Sequence, residues 1–374
     1  MYFDLSEEQQ MLADSLRRFV DTHYTFDERR RIARSQAGFD HGIWSTLADM
    51  GVLGLMIPDA FGGFGESAAS QIVVQRELGR GLVIEPVIAC ATMSAAVLGA
   101  YGSEAQKDTW LPAIATGERR IALAYLEPGS RHRIEAVHCT ATRQHDGYLL
   151  EGHKSLVWHG AAADAWLVSA RVGESSVALF LVPCNAPGVC MTNYPTMDRQ
   201  RGADLHFARV ELPASALVGS ATNGLGMLEH GIAHGIAAQC AYAAGAMERL
   251  IEITRDYLTT RRQFGKPLAA FQTLQHRLAD MLVQKECALS MAYVAAQALD
   301  ESDPAARRRM LSGAKVLVAR AARFVGQQAV QLHGGMGMTD ELSVGDYFKQ
   351  LTMVDVLLGD TDYHLERYCA AMAN

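Results

Sequence analysis

The hydrophobic period of this chain changes twice, and those two changes constrain the fold more than any other feature. Up to Gly117 apolar residues recur at helical spacing. Ser6 stands as an N-cap with Gln9 three residues on, and Met11, Leu12, Leu16, Phe19 and Val20 follow on one stripe. Residues 43–53, 71–78, 88–100 and 105–115 continue the helical pattern around a turn-rich segment at 58–65. Beyond Gly117 the runs shorten to strand length, at 121–126, 148–156, 165–170, 177–182 and 205–212. Turn signals at His145-Asp146-Gly147 and Ala186-Pro187-Gly188 divide them. From Gly224 the pattern is helical again. Met247, Leu250, Ile251 and Leu258 share a face of one helix, with Glu248, Arg249, Glu252 and Arg255 opposite. Leu274, Leu278, Met281 and Leu282 share a face of the next, which the pattern starts with Pro267 near its first turn. A third helix spans 305–333 and stops at Gly334-Gly335, and a last runs over 362–372. The expected fold is α+β, mostly α. It has a helical domain over 1–118, a β domain over 119–223 and an antiparallel four-helix bundle over 224–374.

Length and composition agree with that plan. A chain of 374 residues, 49% apolar and 20% charged, can bury the cores of two or three structural units. A net charge of −7 with both signs mixed argues against a nucleic-acid surface. The acidic start, Met1 to Gln9, has no apolar core and is not expected to be a signal peptide. Residues 86–101 and 231–247 are almost uncharged, but both fall short of the roughly 18 apolar residues of a membrane span and read as buried helices. Seven scattered cysteines, none in a C-x-x-C pair, fit reduced thiols in a cytoplasmic protein without a disulfide framework or a zinc site.

Two glycine-broken stretches carry the chemistry. One is Arg261-Arg262-Gln263-Phe264-Gly265-Lys266-Pro267-Leu268-Ala269-Ala270-Phe271-Gln272; the other is Gln331-Leu332-His333-Gly334-Gly335-Met336-Gly337. Each sets cationic or amide side chains beside backbone freed by glycine, which a phosphate-bearing cofactor requires. Each alone also reads as a helix-break arginine paired with a nearby carboxylate, or as an ordinary C-cap glycine.

Further motifs stand in order along the chain: Leu5-Ser6-Glu7-Glu8-Gln9, the turn at 58–65, Leu111-Pro112 with Gly117, Glu127-Pro128, Gly152-x-Lys154 and Leu278-Ala279-Asp280-Met281. With the two glycine-broken stretches, they make the whole chain resemble the acyl-CoA dehydrogenase family. The resemblance implies an FAD flavoprotein that removes two hydrogens across the Cα–Cβ bond of an acyl-CoA thioester. A carboxylate takes the α-proton and the flavin takes the hydride. It also implies that Arg261, Gln263, Phe264, Gln331, Gly334 and Gly335 contact the adenosine-diphosphate part of an FAD held by a neighbouring subunit. An electron-transfer flavoprotein is the implied electron acceptor.

The motifs that face the flavin ring in this family are altered. Its Thr-Glu-Pro becomes Leu126-Glu127-Pro128, and the following loop is the shortened Gly129-Ser130-Arg131-His132. Its Lys-x-Trp-Ile-Thr-Asn becomes Lys154-Ser155-Leu156-Val157-Trp158-His159, with bulky Trp158 where the ring needs space. The usual catalytic glutamate position is Leu358, and the minority position on the first bundle helix is Gly235. Asp360 is the nearest replacement, or else the N-cap of the last helix; Asp362, Glu229, His230 and His234 are also close in sequence. His230 and His234 have the i, i+4 spacing of a metal pair without a third ligand, so no metal is expected. The ending at 358–365, with Gln327 to Gly335, is similar to the small subunits of heteromeric members such as pimeloyl-CoA dehydrogenase. That likeness implies a second, larger dehydrogenase-like partner. The alternatives are a self-sufficient homo-oligomer with Asp360 as base, or a scaffold subunit without redox chemistry. The acyl group, dicarboxylyl or ring-bearing, is left open.

Overall fold

The computed structural model describes residues 5–372. Residues 1–4, where the acidic start begins, and the last two residues lie outside the described part. The expected order of elements is present. Helices α1 (Glu7–His23), α2 (Phe26–Arg34), α3 (His41–Asp49) and α4 (Ala68–Arg80) come first. A π-helical turn at Val87–Ser94 then runs into α5 (Ala95–Tyr101), followed by α6 (Glu104–Ala115). Strands β1 (Ile121–Ala124), β2 (Thr140–Arg143), β3 (Gly147–Trp158), β4 (Ala165–Val172), β5 (Ser176–Pro183), β6 (Val189–Pro195), β7 (Arg201–Pro213) and β8 (Leu217–Val218) follow. The chain returns to helix in α7 (Gly224–Thr260), makes a minimal hairpin of β9 (Arg262–Gln263) and β10 (Lys266–Pro267), and ends in α8 (Gln272–Gln297), α9 (Pro304–His333), α10 (Val344–Met353) and α11 (Thr361–Ala370). No helix among the described residues is long and apolar enough to cross a membrane.

These elements form two compact units. The first gathers the chain up to Arg31, Ala68–Val83 and everything from Ile236; the second holds Ile32–Ser67 and Ile84–Gly235.

In the first unit α9 is the hub, with α8, α10 and α11 packed against it. Its small buried residues, Ala314, Val318, Ala322, Val325 and Ala329, make that packing close. The second half of α7 meets α4 at two glycines. A Cβ on Gly79 would lie 2.0 Å from the Tyr242 carbonyl oxygen, and one on Gly245 would lie 1.9 Å from that of Arg76. Only glycine allows this approach. Glu248 and Glu252 of α7 are therefore not turned to solvent: Glu252 and Glu248 bind Arg80 at 2.9 and 3.2 Å, and Arg76 binds Glu248 at 2.7 Å. Nor does α8 begin at Pro267. Phe264 and Gly265 both take positive φ, 52° and 79°, so the chain reverses and Lys266-Pro267 pairs back on Arg262-Gln263. On α8 the expected apolar face is partial, since Met281 is buried while Leu282 is 44% exposed.

In the second unit the sheet order is β6-β7-β3-β2-β4-β5-β8, with β1 parallel to β4. Trp166, Phe180, Phe207, Leu150 and Leu167 fill its core, and the buried stretch at Val87–Ser94 lies on β1. Strands β2, β6 and β8 carry no apolar alternation and were not expected from the sequence; β6 is an edge strand whose residues are half-buried or exposed.

A buried ion pair ties this unit together. Lys154 Nζ, on β3, donates to Glu127 Oε1 at 2.6 Å and to Ser169 Oγ on β4 at 2.9 Å. Glu127 also accepts the backbone N–H groups of His138 and Cys139, at 2.7 and 3.0 Å. Gly152, at φ 138°, lets the partner strand close, because a Cβ there would lie 2.7 Å from Cys139 Cα. Burial pulls the Lys154 pKa down, and the Glu127 carboxylate opposes it. Truncating one partner leaves an uncompensated charge in the core. Glu127→Ala is therefore expected to lower unfolding stability by about 3–5 kcal/mol, and Glu127→Ala combined with Lys154→Met by less than Glu127→Ala alone. Denaturant titration of both variants checks this.

Candidate functional site

The two glycine-broken stretches lie together at one end of the first unit. Helix α7 stops where the Arg261 N–H bonds the Tyr257 carbonyl at 2.9 Å, and the Leu268 N–H bonds back to the Arg261 carbonyl at 2.9 Å. The hairpin tip is thereby presented outward. Phe264 is 89% exposed, with its ring edge-on to Phe271 at 6.1 Å. Arg261 and Gln263 are exposed. Among the described residues no carboxylate pairs with the Arg261 guanidinium, which removes the local ion-pair explanation for that arginine. Helix α9 stops at Gly334, with φ 58°, beside an exposed Gln331. A Cβ added at Gly265, Gly334 or Gly335 would meet no atom within 4 Å, so open space faces all three.

One residue connects the stretches, and the sequence pattern did not single it out. The Tyr257 ring stacks on His333 at 4.3 Å and 30°, and its hydroxyl donates to the His333 carbonyl at 3.3 Å. A cation, two amides and bare backbone on one rim can hold a pyrophosphate, and the residues present fit the diphosphate part of FAD.

The positions expected to face a flavin ring, in the second unit, are differently employed. The Ser130 hydroxyl is used inside its own turn, receiving the Glu127 N–H at 3.1 Å and donating to the Glu127 carbonyl at 2.9 Å. Leu126 contributes its carbonyl to the Ser155 N–H at 2.9 Å. At Leu156, φ 50°, the N–H donates to Asp204 Oδ1 at 3.0 Å and to the Tyr194 hydroxyl at 3.2 Å. Trp158 Nε1 donates to Gln200 Oε1 at 2.6 Å, and that oxygen also receives His159 Nε2 at 3.0 Å. The 154–159 segment is thus wired into β7 and its preceding turn. Leu156 and Trp158 bring no hydroxyl to a flavin's polar edge.

The loop that would carry a catalytic carboxylate is also built differently. Leu358 takes φ 60° and is buried, and its carbonyl receives the His364 Nε2 proton at 2.9 Å. Lys315 Nζ donates to the carbonyls of Val354 and Gly359 from below, and burial pulls its pKa down to about 8. Asp360 caps α11 by accepting the Tyr363 N–H at 2.8 Å. On α7, His230 and His234 lie 4.8 Å apart, with Tyr101 edge-on to His230 at 5.5 Å. Burial holds His234 down to about 3. No group of three or more His, Cys, Asp or Glu among the described residues is arranged to hold a metal ion.

Comparison with known proteins decides the family. The model of the acyl-CoA dehydrogenase N-terminal domain matches residues 6–118, and that of the C-terminal domain matches residues 222–373. The chain belongs to the acyl-CoA dehydrogenase family. It is similar to a chain of the ChsE4–ChsE5 complex from Mycobacterium tuberculosis, at 27% identity and a TM-score of 0.90, covering 100% of this chain and 99% of that one. It is similar to a variant of the Tcur3481–Tcur3483 steroid ACAD at 28% identity and a TM-score of 0.89, covering 98% of each chain. A glutaryl-CoA dehydrogenase from Mycobacterium smegmatis in complex with FADH2 matches at 26% identity and a TM-score of 0.90, covering 98% of this chain and 95% of that one. Acyl-CoA dehydrogenases are FAD-dependent oxidoreductases, and by family and fold this is an acyl-CoA dehydrogenase chain.

The buried imidazoles give this chain a predictable acid sensitivity. Burial holds His159 at about 4, below its ordinary 6.5, although Gln200 opposes the shift. A folded pKa below the unfolded one means that the stabilisation is complete above pH 6.5 and is lost as pH falls toward 4. His159 alone is expected to cost about 1 kcal/mol at pH 5.5 relative to pH 7.5. Urea midpoints at the two pH values test this, and His159→Gln should show a smaller difference than the wild type.

Proposed function

We propose that this chain is the small subunit of a heteromeric acyl-CoA dehydrogenase, one that donates cofactor contacts to a larger partner. The observation that carries the reading is the contrast between the two sets of positions. The rim formed by Arg261, Gln263, Phe264, Gln331, Gly334 and Gly335 is exposed and open, while the Ser130 hydroxyl and the Trp158 indole are bonded within the chain and Leu126 and Leu156 carry no hydroxyl. The likeness to chains of ChsE4–ChsE5 and Tcur3481–Tcur3483, each named for two components, supports a heteromeric assembly.

In this reading each donated residue has one task. The Arg261 guanidinium holds pyrophosphate oxygens with paired, charge-assisted hydrogen bonds. The Gln263 and Gln331 amides bind neighbouring polar atoms, and Gly334 and Gly335 let the backbone approach. Phe264 covers the apolar flank of the site and excludes water. When bound, FAD supplies the acceptor for the hydride of α,β-desaturation. The partner, a second dehydrogenase-like chain, holds the ring, the catalytic carboxylate and the acyl group of the acyl-CoA. A ring-bearing acyl chain is the substrate class favoured by the steroid ACAD likeness. An electron-transfer flavoprotein takes the electrons. The seven unpaired cysteines support a cytoplasmic location.

The isolated chain is expected to purify nearly colourless and inactive, and to turn yellow when co-expressed with its partner. Arg261→Ala in the assembly should weaken FAD binding by about 10- to 100-fold, the loss of charged hydrogen bonds to a phosphate. The competing reading is a homo-oligomer with Asp360 as base. Stoichiometric FAD in the isolated chain, with acyl-CoA turnover abolished by Asp360→Asn, establishes that reading and overturns ours.

A further inference from the structure

We propose that Tyr257 is a positioning residue that sets the two cofactor-contacting stretches at a fixed separation, using His333 as its counterpart. The inference rests on the reading of Arg261 and Gln331 as cofactor contacts and adds how they are aligned. Each stretch follows a helix end, and helix ends fray unless they are tied. Tyr257 touches both ends at once. Its carbonyl accepts the Arg261 N–H at 2.9 Å, and the Thr260 hydroxyl bonds the same oxygen at 3.2 Å. Its ring stacks on the His333 imidazole, and its hydroxyl reaches the His333 carbonyl. That carbonyl belongs to the peptide leading into Gly334, where the chain turns to left-handed φ.

His333 is itself held firmly. It is 3% exposed, and its Nδ1 bonds the Ala329 carbonyl at 2.8 Å. With that proton on Nδ1, Nε2 is left as a bare acceptor and has no partner. Burial lowers the His333 pKa, which favours this neutral form. The turn at Gly334–Met338 folds back on the same residue. A Cβ at Gly337 would stand 3.1 Å from His333 Cβ and 2.8 Å from the Val330 carbonyl oxygen. The imidazole is therefore held by Tyr257 and the Ala329 carbonyl, with the glycine turn packed against its Cβ, and a shift of α7's end is passed to Gln331, Gly334 and Gly335. Neither residue needs to touch the cofactor.

The test measures the FAD dissociation constant, by dialysis with flavin fluorescence, on whichever species carries FAD. That is the assembly co-purified with this chain, or the isolated chain if it retains the flavin. Deuterium uptake is followed at 258–268 and 331–338 in parallel. Tyr257→Ala should weaken FAD binding about tenfold and raise uptake in both segments. Tyr257→Phe keeps the stack and loses one hydrogen bond, so it should weaken binding about threefold and raise uptake at 331–338 alone. His333→Ala should reproduce the Tyr257→Ala pattern and stands in if that variant fails to fold. Unchanged FAD affinity in Tyr257→Ala, or uptake raised in one segment only or throughout the chain, overturns the coupling. Arg261→Ala is the control. If it weakens FAD and Tyr257→Ala does not, only the coupling fails; if it does not weaken FAD, the underlying reading fails.

Discussion

A fully buried ammonium and carboxylate, Lys154 and Glu127, hold the β-rich unit in register, and much of what this chain keeps and loses is organised around them. Neither charge is tolerable in the core alone, so each atom capable of bonding must find a partner. Glu127 takes three donors and Lys154 two acceptors, and in doing so they fasten the segment after β1 to β3 and β4. The motifs Glu127-Pro128 and Gly152-x-Lys154 looked like family markers in the sequence, and the structure gives them a mechanical reason. A scaffold of this kind resists substitution whether or not the nearby surface still binds a flavin. That is why it persists here beside Leu126, Leu156 and Trp158.

The same logic separates what the sequence makes legible from what it does not. The capping box of α1 is legible because its bonds span three residues: the Ser6 N–H reaches Gln9 Oε1 at 3.1 Å, and the Gln9 N–H returns to Ser6 Oγ at 3.2 Å. The long helices and the buried strands β4 and β5 are legible from apolar periodicity alone. Strand β6 is not, because an exposed edge imposes no alternation on Cys190, Met191, Thr192 and Asn193. The start of α8 misleads for another reason. Proline near a helix start is a sound local signal, but positive φ at Phe264 and Gly265 turned the chain back before the helix could form. Trp158 is illegible in a third way. Its bulk is plain in the sequence, whereas its commitment to Gln200, 42 residues on, is set by the pairing of β3 with β7.

Non-local reach also accounts for Tyr257. Arg261 and Gln331 announce themselves as polar groups next to glycine, a pattern contained in a dozen residues. The residue proposed to align them sits four positions before one and 76 before His333. It looks like an ordinary half-buried tyrosine on a helix. Only folding brings its carbonyl, ring and hydroxyl onto two helix ends together.

The hairpin tip supports the proposed donation of this rim to a neighbour. A bulky side chain with positive φ is unfavourable by about 1 kcal/mol, and Phe264 takes that conformation while leaving nearly all of its ring in water. Glycine would relieve the strain and a polar residue would relieve the exposure, so neither feature serves the free chain. Covering the ring would return about 1.5–3 kcal/mol, enough to outweigh the backbone strain. Phe264 also has Arg261 and Gln263 close in the chain, so in the proposed assembly its cover presents an apolar face next to an anionic one. The flavin dinucleotide of the proposed partner subunit combines those two properties.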